Sequence, residues 1–563
     1  MDAEIVPATA LVPPEAHGRG FSPHDSALVL DGYLRRLACQ NARCRAVLGR
    51  LARKFLARRG HHELGFARLG DYARERLGVS VRELQSLATV SAGLERLPNV
   101  GAAFASGELS WSQVRLLVGV ATPDTEQEWL HLARARTVRA LAALIRENGR
   151  SASEDEDAND EPRARFRLRC PTRLVRLWRD VVELARRMAG DQVTVGQAAE
   201  AIAAEGLAAR PACDEPWPSA SSPTEVSADR DEVRDVFAEL DWAPVADAVP
   251  DDVARLADEV DDLDPRGLDA CISAIVRAMH RVDWQTGRLL RTFLDRRLYR
   301  LMLFPSAARY LTERLGMSAR KARTLVALER KTWDAPALGD AYRGGVLSSL
   351  QAITLMPVIT DGTADAWVAR ARSVTLRRLG DEVEWALTVR DGLTPIAPPP
   401  ARASLAIPER QMCARPEWEW PDAEIVFTAP VSVVALFRTA ILAFAHPHDS
   451  LLGGLEKLLV HVKTEWEAQP RHRDPIFARD HWRCAVPICT ARRELHDHHV
   501  VFRSHGGGNE RENRITICAW HHLRGVHAGR VRASGAAPHG ITWEIGVHAG
   551  RRPLIRTDAE GYY

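Results

Sequence analysis

Aromatic residues are scarce in this chain, 6% of 563 residues, and a composition so poor in the residues that favour strands points to helices. Cysteine is sparse too, nine in all, which excludes a disulfide-stapled scaffold. No run of eighteen apolar residues occurs, and the opening MDAEIVPATALVPPEA has neither a basic n-region nor an apolar core of signal-peptide length. Membrane insertion and export are therefore not expected, and a cytoplasmic location is. Net charge is also small, +2, but it sums acidic runs in the middle of the chain and an arginine-rich end, so the average hides the charge of each part.

What is present is length and repetition. At 563 residues the chain exceeds what one hydrophobic core serves, and three or four domains are expected. A shift of 238 residues aligns Gly49-Arg50-Leu51 with Gly287-Arg288-Leu289 and Glu75-Arg76-Leu77-Gly78 with Glu313-Arg314-Leu315-Gly316. It also places Gly107, Leu109, Ser110, Gln113 and Trp129 on Gly345, Leu347, Ser348, Gln351 and Trp367, with no gap from about residue 31 to 141. Beyond this the offset becomes 259, pairing Pro171, Leu177 and Arg179 with Pro430, Leu436 and Arg438. Apolar residues at helical spacing, such as Leu84, Leu87, Ala88 and Val90, make each copy a bundle of five to seven helices. The expected organisation is an N-terminal tail (1–22), helical unit 1 (23–205), an acidic linker (206–265), helical unit 2 (266–469), a small module (470–535) and a tail or short hairpin (536–563). The fold class is accordingly mainly α. An acidic insertion (151–161) and a proline-rich one (394–402) read as solvated loops. Cys39 and Cys44 have no second ligand pair nearby and read as ordinary thiols.

The chemistry concentrates near the end. Nine of twenty histidines lie between residues 472 and 527, and three cysteines fall within the same stretch. Cys484-x4-Cys489, followed by Cys518-x2-His521, has the paired spacing of a closed tetrahedral Zn²⁺ site, which can hold together a module too small to do so by burial. A second set comprises His498-His499, Asn513, His522 and His527. Glu494 to Val501 suits a strand, Ser504 to Asn509 a glycine-rich loop, Asn513 to Cys518 a second strand, and Ala519 onward a short helix.

This strand–loop–strand–helix order with its histidines and asparagine resembles the HNH (ββα-metal) endonuclease family in its McrA-like zinc-knuckle form, over about sixty residues. The duplicated helices ahead of it resemble, more loosely, bacterial 13E12-type repeat proteins. The resemblance implies a ββα-metal fold in which His499 is the general base, His498 and His522 bind a catalytic divalent metal, and Asn513 fixes the loop and orients the base. His527 is implied as a further ligand, but it stands five residues after His522 where four is usual, about 140° away on an ideal α-helix; Gly525 would have to loosen the turn. A structural Zn²⁺ and one catalytic divalent ion (Mg²⁺, Mn²⁺, Ni²⁺ or Zn²⁺) are thereby implied.

Between Arg471 and Arg532 there are twelve arginines, no lysine and six acidic residues, a balance suited to a phosphate backbone. Arg503, between the base and the glycines, is the expected phosphate partner. Nucleic acid, DNA above all, is the expected partner of the whole protein, with self-association through the helical region left open. The competing reading is a non-catalytic nucleic-acid-binding zinc protein with a helical assembly domain.

Overall fold

A computed structural model describes residues 23–147, 163–190, 193–208, 263–389, 397–400, 423–445, 450–468 and 474–558. The expected N-terminal tail, the acidic insertion and most of the acidic linker and proline-rich insertion lie outside the described residues.

The architecture is mainly α with small antiparallel sheets. The first copy runs α1 (Pro23–Ala57), α2 (Leu69–Tyr72), α3 (Val81–Leu94), α4 (Pro98–Ala105), α5 (Trp111–Val120), α6 (Glu126–Ala135) and α7 (Val138–Glu147), then β1 (Arg163–Cys170), α8 (Thr172–Ala189) and α9 (Val195–Ala208). The second runs α10 (Pro265–Asp295), α11 (Ala307–Leu315), α12 (Ala319–Asp334), α13 (Pro336–Arg343), α14 (Ser349–Leu355), α15 (Ala364–Ser373) and α16 (Leu376–Val389), then β2 (Ala423–Pro430), α17 (Val431–Phe444) and α18 (Leu451–Glu467). From α4 to α7 each helix starts 238 residues before its counterpart. The repeated letters have structural reasons. Ser110 with Gln113, and Ser348 with Gln351, form capping boxes, and the same glutamines donate to Ala133 O at 2.8 Å and Ala371 O at 2.7 Å. Trp129 and Trp367 are both buried.

The copies share compact units instead of dividing into one each. One unit takes residues 1–154 and 230–379, the other 155–229 and 380–563. Within the first, bonds are reciprocal across the repeat. Asp31 accepts hydrogen bonds from Tyr310 Oη (3.0 Å) and Arg314 Nη2 (2.8 Å); its counterpart Asp269 accepts from Tyr72 Oη (3.0 Å) and Arg76 Nη2 (2.9 Å). Glu75 accepts from the first-turn amides of α16, Leu376 at 2.7 Å and Arg377 at 2.9 Å, and Glu313 does the same for Val138 and Arg139 of α7 at 2.5 and 3.3 Å. Each carboxylate thus satisfies amides that have no partner within their own helix. Such pairing, i with j′ and j with i′, is that of a two-fold interface, made here inside one chain.

In the second unit β1 and β2 pair antiparallel from Arg163↔Pro430 to Cys170↔Ala423. Alternation sends Phe166 and Phe427 to one face, where they stack at 5.0 Å between centroids and meet Trp178 of α8 and Phe437 of α17. Trp178 and Phe437 are themselves related by the 259-residue offset, so both copies supply this core.

The C-terminal module begins at α19 (Pro475–Arg479), capped by Asp474. The hairpin of β3 (Leu495–His499) and β4 (Arg514–Cys518) follows, then a π-helical turn (His521–Val526), and finally a sheet of β5 (Val531–Ala536), β6 (Gly540–Ile545) and β7 (Ile555–Thr557). Arg492, buried, grips Glu183 of α8 and the carbonyl of His481. Arg483 binds Asp381 at 2.6 Å, and Arg187 lies 3.8 Å over the Trp482 ring. Among the described residues no helix is long and apolar enough to cross a membrane.

Candidate metal centres

Two clusters of ligating side chains flank the β3–β4 hairpin and the turn after it. In the first, one ligand atom each from Cys484, Cys489, Cys518 and His521 lies within 4.8 Å of every other. Cys484 Sγ and Cys518 Sγ are 3.5 and 3.4 Å from His521 Nδ1. With Zn–S near 2.3 Å and Zn–N near 2.0–2.1 Å, the S···N edge of a tetrahedron is roughly 3.6 Å, so the donor set fits Zn²⁺ in both identity and size. All four residues are buried. Hydrogen bonds from Cys484 and Cys489, with help from His521 and against burial, hold the Cys518 thiol far below its ordinary range. Burial opposes charge on His521, yet the adjoining Cys484 and Cys518 lift it to about 10. A cluster that draws a proton onto a buried imidazole has the charge balance of a cation site. Backbone supports the loop: Cys484 N–H donates to Ala491 O at 2.9 Å and Ala491 N–H to Cys489 Sγ at 3.4 Å.

The second cluster is His498, His522 and His527, again with one ligand atom each within 4.8 Å. The His522 and His527 rings are 4.9 Å apart, and His498 is 4.9 Å from His522 and 5.7 Å from His527. Five-residue spacing does not separate the last pair, because the segment is a π-helix: His527 N–H donates to His522 O at 3.1 Å, an i→i+5 bond. His521, one residue earlier, faces the cysteines. His498 is 5% exposed and its Nε2 is buried without a hydrogen-bond partner, a donor available to an ion. Burial first, then His522, His527 and His499, lower its pKa to about 4; burial, His527 and His496 lower that of His522. Both rings are held neutral, as metal ligation demands.

His499 points the opposite way from His498, as alternation along β3 requires. Its Nε2 is 2.9 Å from Asn509 Oδ1; since that oxygen only accepts, the pairing places the proton on Nε2 and leaves the Nδ1 lone pair free. Asn513 ties the glycine loop at both ends. Its Oδ1 accepts from Val501 N–H at 2.7 Å, while Nδ2 donates to Val501 O at 3.1 Å and Gly508 O at 2.8 Å. A Cβ at Gly507 would sit 1.8 Å from Val501 O, so this crossing of the loop requires glycine. Arg503 is exposed in the 3₁₀ turn Arg503–His505.

Two residues of the site are not among those the sequence singles out. His496 Nδ1 lies 2.8 Å from His522 Nδ1, and Asn509 partners His499. The first was open to detection, since His496 and His498 stand at i and i+2 on one strand face; nothing in the spacing marks Asn509.

The family described as Domain of unknown function (DUF222) matches residues 31–157, which takes in most of α1 and all of α2 to α7 and stops short of β1, α8 and α9. No curated protein and no solved structure matches the chain.

Proposed function

We propose that the protein is a metal-dependent HNH-type endonuclease that hydrolyses phosphodiester bonds of DNA. The reading rests above all on His498, His522 and His527 meeting at one point while His499, the next residue along the strand, keeps a free imidazole lone pair. His498, His522 and His527 would hold one divalent ion, Mg²⁺, Mn²⁺, Ni²⁺ or Zn²⁺; Cys484, Cys489, Cys518 and His521 would hold a structural Zn²⁺. When bound, the divalent ion supplies charge neutralisation at the phosphate and at the departing oxygen.

The remaining work falls to the chain. His499 takes the proton of the attacking water at Nδ1, with Nε2 kept protonated by Asn509. Asn513 closes the loop that carries Asn509 and so fixes the direction of the base. Arg503 lies between base and glycines, where its guanidinium can pair with a neighbouring phosphate. Burial of His498 keeps this ligand from being protonated near neutral pH.

The test is cleavage of supercoiled plasmid, single-stranded DNA and RNA by the purified full-length protein across a panel of divalent metals. Metal-dependent nicking of plasmid is expected. Binding without cleavage under every metal would overturn the reading in favour of a nucleic-acid-binding zinc protein.

A further inference from the structure

The β1–β2 ribbon has a second face that its core does not use. Opposite Phe166 and Phe427 the strands turn Arg165, Arg167 and Arg169 outward from β1, and Glu424, Val426 and Thr428 from β2. Arg167 and Arg169 side chains are 57% and 73% exposed, and both lean on Glu424, at 2.7 and 3.3 Å. Arg165 stands opposite Thr428, with no acid across the pair. Among the described side chains this face therefore carries three guanidinium groups against one carboxylate.

The charge is not inherited from the repeat. At the 259-residue offset Arg165, Arg167 and Arg169 correspond to Glu424, Val426 and Thr428. One copy has placed arginine at each outward position of the strand, the other at none. An edge built only to stay soluble would need no such stripe, and one or two charges of either sign would suffice. Alternate residues of a strand are about 6.6–6.8 Å apart, close to two steps of the 3.4 Å rise per phosphate of one strand along a duplex axis.

The ribbon and the nuclease module also share a support. The inner face of the ribbon packs on Trp178 of α8, and the carbonyl of Ala189 at the end of the same helix accepts from Arg493 of the module at 2.7 Å. Eleven residues of helix separate these two contacts, roughly 16 Å along the axis, a span of about five base pairs at 3.4 Å each.

We propose that the outer face of the β1–β2 ribbon, through Arg165, Arg167 and Arg169, is a phosphate-binding docking strip for the DNA that the module cuts. The choice of DNA as ligand rests on the nuclease reading; the strip itself does not depend on cleavage. Arginine–phosphate pairs of this kind position the substrate without reading its sequence.

The experiment measures binding of a fluorescent 30-base-pair duplex by the full-length protein from 50 to 250 mM KCl, without added divalent metal. The variants are R165Q/R167Q/R169Q and E424Q, with circular dichroism as a check on folding. Removing one arginine–phosphate pair should lower the slope of log K against log salt by about 1, so the triple variant should lose about 3 and E424Q should bind more tightly than the wild type. An unchanged slope in a folded triple variant overturns the strip, even if plasmid is still nicked. A reduced slope with no nicking under any metal leaves the strip standing and sinks the nuclease reading. Should a partial unfolding cloud the triple variant, R165Q alone, with a slope lower by about 1 expected, decides.

Discussion

The amide of His527 donates to the carbonyl of His522, 3.1 Å away and five residues back, and the two rings meet at 4.9 Å. An α-helical turn would send them to different faces; the wider π turn, closed by this i→i+5 bond, brings them back toward one face. Gly525 lies inside it, buried beside His521. A single backbone bond thus decides whether the second cluster has two imidazoles or three.

If His527 completes that cluster, His527→Ala should weaken binding of the second metal by tenfold or more while the cysteine-bound zinc stays at one per chain. Isothermal titration beside elemental analysis reads both numbers. Equal affinity in variant and wild type would remove His527 from the ligand set.

Cys489→Ser should release the structural zinc and loosen the whole module, because in a small domain the metal supplies much of the folding free energy. Hydrogen exchange over residues 474–558 should rise while the helical regions keep their protection. Zinc content and protection both unchanged would refute a structural role.

The cysteine–histidine cluster was legible because thiolates paired at CX4C and CX2H spacing have few uses besides holding a metal ion. His527 was legible only through the family resemblance, because its five-residue spacing from His522 is out of phase on an α-helix and the π turn that brings the two rings together leaves no mark in composition. The 238-residue duplication was equally plain, yet its assembly was hidden. Asp31, Tyr72 and Arg76 recur as Asp269, Tyr310 and Arg314, and no sequence pattern says that each aspartate bonds the other copy's pair. That choice is made by long-range packing of α1 along α10, which becomes visible only in three dimensions.

The reciprocal pairs give a symmetric expectation for stability. Asp31→Asn and Asp269→Asn each leave a part-exposed arginine without its counter-charge, and each should cost about 1–2 kcal/mol in denaturant unfolding of the full chain. Since the two clusters share no partner, the double variant should cost nearly the sum. A large loss at one position and none at the other would contradict the two-fold arrangement.

The base and its neighbour make the sharpest distinction. His499→Ala removes the group with the free Nδ1 lone pair but no member of the ligand set, so cleavage should slow by roughly 10² to 10⁴ while metal and DNA affinity hold. His498→Ala removes a ligand, so its lost activity should come with weakened metal binding and recover in part when metal is added. Asn509→Ala keeps the imidazole and frees its orientation; a fall of about tenfold, the scale on which an orienting hydrogen bond acts, is expected with metal affinity again unchanged. Nicking rates and metal titrations on the three variants separate these outcomes. Loss of metal from His499→Ala, or full activity in it, would move the proton-accepting role elsewhere, and His505, exposed on the same loop, would be the next residue to replace.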